Sequence, residues 1–213
     1  MNSPLRERTG RRRAAAAVML IPLLLCLLAG CRLPDSEVRL VSYKDREFPE
    51  PYGIRFTDCT YRTEPTGDYH IVARVAREPG DSNSGAITQY MHIHLFWKPR
   101  PGRTFVNRST IDATLRYVIV TDAGTVEYSG TGFVYPKHPR RSDKLIAEIE
   151  SARLKVASLV GEPTEMLGDS RLTGVLVATF DPSRTLDLLH EMNLHAAGQG
   201  ATSGPPAEPK PTE

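Results

Sequence analysis

Cysteine is scarce, with three in 213 residues, and two of them, Cys26 and Cys31, fall close together near the N-terminus. That leaves Cys59 alone in the rest of the chain and excludes a fold stapled by internal disulfides. Charge of one sign is also missing. With 27 basic against 25 acidic side chains, the formal net is +2, which excludes a strongly basic nucleic-acid binder and a highly charged disordered polymer. Aromatic residues are 7% of the chain, too few and too scattered among the basic residues for a single-stranded nucleic-acid platform. The longest apolar run, Ala14 to Leu28, has fifteen residues interrupted by Pro22, short of the roughly 20 that a membrane-spanning helix needs. No G-x-S-x-G elbow, Walker loop or dinucleotide fingerprint sits in a strand-to-helix setting. Turn formers are plentiful instead. The 17 prolines and 16 glycines point to a loop-rich domain of short strands rather than a helical bundle.

The N-terminus reads as an address. Arg6, Arg8, Arg11, Arg12 and Arg13 stand against Glu7 alone, the apolar run follows, and small residues close it. Taking those five basic residues and one acidic residue from the totals leaves 22 and 24, a net of −2 from Cys31 onward. Leu28-Ala29-Gly30-Cys31 then resembles the lipobox of bacterial lipoproteins. The resemblance covers about the first 31 residues and implies cleavage between Gly30 and Cys31, a covalent lipid on Cys31 and an acylated new amine. Each buried acyl methylene contributes about 0.8 kcal/mol, so two or three chains anchor a protein stably without a span. Arg32, in place of the aspartate associated with inner-membrane retention, implies the outer membrane, facing the periplasm or the cell surface.

The expected organisation is a signal peptide over 1–30, a lipid-anchored tether over 31–52, a folded domain over 53–195 and a disordered tail over 196–213. Val38 to Tyr43 is the one stretch of the tether with the alternation of a short edge strand. Within the domain, Ile54, Phe56 and Asp58 alternate with their neighbours through Cys59. Tyr69, Ile71, Ala73 and Val75 share one face of a second strand. Met91, Ile93, Leu95 and Trp97 share one face of a third, with Tyr90, His92, His94 and Phe96 opposite. A hairpin joins Ala113–Thr121 to Thr125–Val134 through Asp122-Ala123-Gly124.

Ser142 to Val160 fits two templates. Leu145, Ile146, Ile149, Ala152 and Val156 make a helical stripe, while Ala152, Leu154, Val156, Ser158 and Val160 alternate as in a strand. Ile111–Val118 resembles Ile149–Val156, and that echo decides for a strand over 150–160. Leu172–Phe180 is a further strand. Asp181 and Pro182 then supply an N-cap and a first-turn proline, and Leu186, Leu189, His190 and Met192 or Asn193 follow at helical spacing, with Gly198 as the stop. The expected fold is all-β: an antiparallel β-sandwich of about seven or eight strands, immunoglobulin-like in one version, with one C-terminal α-helix.

Three groups of residues carry candidate chemistry. His92 and His94 lie two apart on a strand, so both imidazoles reach one side, where zinc or copper would suit them. A third ligand is needed, and His70, Asp58 and Glu127 are the candidates. Cys59 with His70 as base is disfavoured by register, because a turn centred near residue 66 puts Cys59 opposite about residue 73. An inert buried thiol is the expected role. Two basic loops, Lys98, Arg100 and Arg103 in one and Lys137, Arg140 and Arg141 in the other, are candidate anion-binding residues. Asn107-Arg108-Ser109 matches a glycosylation sequon that a bacterial lipoprotein gives no reason to use.

The function expected is that of a membrane-anchored envelope lipoprotein with a non-enzymatic binding or assembly role. Its partners would be the membrane through the lipid, and an envelope protein or anionic glycan; nucleic acid is not expected. The alternative is a metal-binding protein or metal-dependent enzyme using His92 and His94.

Overall fold

The structure, a computed structural model, describes residues 35–44, 49–77, 86–96, 113–139, 142–163 and 167–198. The segment expected as a signal, the lipobox-like residues with Cys31, the basic loop holding Lys98, Arg100 and Arg103, the residues Arg140 and Arg141, the sequon and the tail beyond Gly198 lie outside them.

Among the described residues, nine strands and one helix follow one another: β1 (Glu37–Ser42), β2 (Glu50–Arg55), β3 (Asp58–Thr63), β4 (Tyr69–Arg77), β5 (Ile87–Leu95), β6 (Ala113–Thr121), β7 (Gly124–Lys137), β8 (Lys144–Gly161), β9 (Ser170–Phe180) and α1 (Pro182–Ala196). The all-β expectation with one C-terminal helix holds. A sandwich or immunoglobulin-like arrangement is not shown, because all nine strands belong to one mixed sheet. From β3 to β8 each strand pairs antiparallel with the next. β9 then joins β8 along one edge and β1 and β3 along the other, β3 in parallel through Thr60–Thr179 and Tyr61–Phe180. Hydrogen bonding therefore returns to its starting strand. Closure removes the free edges that two stacked sheets would leave, and among the described residues β2 remains as a strand paired on one side, to β1.

Alternation sends one residue in two to the interior. Ile71, Met91, Ile93, Leu95, Leu115, Tyr117, Tyr128, Leu145, Ile149 and Leu154 are all buried there, each contributing about 1.5–3 kcal/mol relative to exposure. Val38 and Leu40 of β1 join this core at 0% exposure. The packed domain therefore reaches back into the stretch expected as a tether. The strand expected over 54–59 is two strands, with Phe56 and Thr57 turning the chain between β2 and β3.

β8 explains the ambiguity over 142–160. It is one strand throughout, but a register shift between Ile149 and Ala152 changes its phase. Inward residues run Leu145, Ala147, Ile149 and then Ala152, Leu154. A bulge of this kind inserts a three-residue step into a two-residue period and so imitates a helical stripe. Across from it, Gly130 and Gly132 of β7 let the strands approach closely. A Cβ on Gly130 would lie 1.7 Å from the Arg153 carbonyl oxygen.

The helix forms as its cap and proline dictate. Asp181 Oδ1 accepts from the Arg184 N–H at 2.9 Å, and the chain leaves the helix at Ala197 and Gly198. Its buried residues are Thr185, Leu188 and Met192, while Leu186 is 48% exposed. The stripe is thus shifted from the expected one. α1 lies on the outer surface of the sheet: Met192 packs with Tyr90 and Val118, and Thr185 Oγ1 bonds Thr60 Oγ1 at 3.0 Å. Arg184 clamps Asp58 Oδ2 through Nε at 3.0 Å and Nη2 at 2.6 Å.

Candidate functional site

Beside the helix, the outer face of β4 and β5 carries a cluster of three histidines. The register pairs His70 with His94 and Val72 with His92. His70, His92 and His94 share that face because Ile71 and Ile93 point inward. The pair read from the sequence is therefore a trio. Rings of His70 and His94 stack at 4.3 Å between centroids and 11° between planes, and His70 and His92 lie at 5.4 Å and 9°. Phe96, 47% exposed, stands edge-on to His94 at 4.6 Å.

Charged residues from β3 and the β3–β4 turn rim the trio. Glu64 pairs with Arg62 and faces His70 Nε2 at 3.6 Å, and Asp68 Oδ2 lies 3.4 Å from His94 Nε2. The latter contact has ion-pair distance without hydrogen-bond geometry, so the buried His94 Nε2 has no hydrogen-bond partner among the described residues. Burial pushes His92 down to about 3, helped by His70 and Arg116. His70 is also lowered, first by burial and then by His94 and Arg62, with Glu64 and Asp68 opposing.

His70 Nδ1 and His92 Nε2 are 3.1 Å apart, so one of the two neutral rings donates to the other there. Glu64, 3.6 Å from His70 Nε2, lies beyond hydrogen-bond length.

The other proposed ligands are committed elsewhere. Asp58 is held by Arg184, and Glu127 accepts from Arg116 Nε at 2.7 Å and from Ser158 Oγ at 3.2 Å. Arg116 also reaches Asn193 of α1 at 2.9 Å. Stacked rings hold their in-plane lone pairs in parallel planes, whereas a zinc site needs each nitrogen about 2.0–2.1 Å from one point. Among the described residues, no group of three or more His, Cys, Asp or Glu side chains is placed to hold a metal ion.

Cys59 pairs with Ala73, as the hairpin count expected, and packs against the core. Burial pushes its thiol up to about 12, against a smaller opposing effect of Ser36. Lys137, one of the expected anion-binding residues, is ion-paired with Glu148. Its neighbour His138 contacts the Tyr69 hydroxyl at 3.2 Å, within an aromatic group with Tyr61 and Phe180.

Sequence reasoning missed Arg62, Glu64 and Asp68 as companions of the histidines. The signal was the hairpin Asp58–Arg77, whose register brings the turn acids to the same end as His70. Compared with protein-family models, with curated proteins and with solved structures, the chain matches none.

Proposed function

We propose that this is a lipid-anchored protein of the bacterial cell envelope, attached through acyl chains on Cys31, with a non-enzymatic role in binding or assembly. The observation that carries it is Leu28-Ala29-Gly30-Cys31, set behind a basic segment and an apolar run. Arg32 supports the outer membrane, with the domain facing the periplasm or the cell surface. An envelope protein or an anionic glycan is the partner, and β2, paired on one side, is the strand to which an extended partner segment would add.

Fractionation of cells carrying Cys31→Ala tests the anchor. The wild-type chain is expected in the membrane fraction with an acyl mass on the Cys31 peptide, and the variant in the soluble fraction. Unchanged fractionation together with an absent acyl mass would refute it.

A second reading makes His92 and His94 ligands for zinc or copper, in a metal-binding protein or metal-dependent enzyme. The observation in its favour is His94 Nε2, buried without a hydrogen-bond partner among the described residues. Binding requires His94 to turn out of its stack on His70. Tag-free protein should then carry the metal as purified, or gain thermal stability on titration with zinc or copper. Neither result occurring discards this reading.

A further inference from the structure

On the outer face of β8 and β9 an open groove of about 820 Å³ is bounded by Tyr43, Lys44, Arg153, Lys155, Asp169 and Arg171. Arg153 and Arg171 are directly opposed in the β8–β9 ladder. Both are exposed, while Ala152, Leu154, Ser170 and Leu172 around them are buried, so the two arginines leave the sheet on the same side. Like charges directly opposite one another destabilise a sheet. Neither arginine has a carboxylate partner among the described residues. Among the described residues the one acid of the groove, Asp169, lies 3.9 Å from Lys155 Nζ. That pairing leaves the two guanidinium charges of Arg153 and Arg171 facing one cavity.

The wall of the groove is built rather than draped. The Tyr43 N–H donates to the Asp169 carbonyl at 2.8 Å, and the Leu167 N–H donates to the Tyr128 hydroxyl at 3.2 Å. Ser170 Oγ donates to the Leu167 carbonyl at 3.3 Å, and Ser42 Oγ donates to the same carbonyl. Gly168, at φ +59°, makes the bend that brings this segment against Lys44, where a Cβ would already lie 3.1 Å from Lys44 Cα. Cations on two paired strands and a pinned turn are held together before any ligand arrives, which lowers the ordering cost of binding.

We propose that this groove binds a phosphate group, gripped between the guanidinium groups of Arg153 and Arg171 with Lys155 flanking it. Adjacent planar forks suit a tetrahedral oxyanion, whose several acceptor oxygens point in different directions, better than a single planar carboxylate. The site depends neither on the lipid anchor nor on the histidine cluster.

Thermal unfolding of the full-length protein in nonionic detergent, at constant ionic strength, tests it with two probes. These are inorganic phosphate and glycerophosphoglycerol, the phosphodiester of a lipid headgroup without its acyl chains. A saturable rise in Tm is expected, and Arg153→Gln or Arg171→Gln should weaken the apparent affinity by about tenfold. In chloride alone each variant should be at least as stable as wild type, since opposed charge has been removed; that separates loss of a site from loss of the fold. A larger response to inorganic phosphate identifies a free phosphate site, and a larger response to the diester identifies a headgroup site. No saturable response to either probe, or an undiminished response in the double variant, overturns the proposal.

Discussion

His70 Nδ1 sits 3.1 Å from His92 Nε2 across the β4–β5 ladder, with the two rings 9° from parallel. Burial, together with His70, Arg116, His94 and Arg62, holds His92 neutral. Protonation of the accepting ring would place a second donor where an acceptor is needed.

Stability should therefore fall on acidification below about pH 6.5. The unfolded chain takes up a proton at His92 near the ordinary value of 6.5, whereas the folded chain does so only at about 3. Between those limits the unfolded state holds one more proton, so each such histidine lowers stability by about 1.4 kcal/mol per pH unit of acidification. Urea unfolding of His92→Gln from pH 6.5 to 4.5 is expected to show a slope shallower by about one proton. An unchanged slope would remove His92 from this account.

Gly130 should tolerate no side chain. Its Cβ would meet the backbone oxygen of Arg153 at 1.7 Å, so Gly130→Ala must push β7 off β8, at a cost of about 1–3 kcal/mol. Gly53 is the control: it has nothing within 4 Å, and Gly53→Ala should change stability by under about 0.5 kcal/mol. Equal effects in chemical denaturation would mean that the close β7–β8 approach carries no weight.

Cys59 should be silent to thiol reagents in the folded protein. Nucleophilicity requires the thiolate, and burial pushes this thiol up to about 12. Iodoacetamide at pH 8 is expected to leave the Cys59 peptide unmodified until denaturant is added, as read by mass spectrometry. Rapid native labelling would contradict the burial.

Where alternation is unbroken, the strands were legible residue by residue. The β6–β7 hairpin spans Ala113–Thr121 and Gly124–Lys137 around Asp122 and Ala123, and Cys59 faces Ala73 as counting from the turn requires. The α1 cap was equally plain, because Asp181 and Pro182 act on the backbone next to them. Reading failed where a distant strand decides the outcome. Val38 to Tyr43 reads as a short edge strand, and β1 is a strand there, but β2 and β9 flank it on both sides and take Val38 and Leu40 into the core. The buried side of α1 runs through Thr185 rather than Leu186, because Thr60 waits beneath it.

The sequence alone determined most of the strands, where the helix starts, and that an arginine-rich and then apolar segment precedes them. These are local properties, set by a period of two, a cap or a run. Tertiary structure alone decided that the sheet closes through β9, that His70 completes a trio with His92 and His94, and that Arg153 faces Arg171. Each depends on register between strands, and a single bulge such as that between Ile149 and Ala152 resets which residues meet.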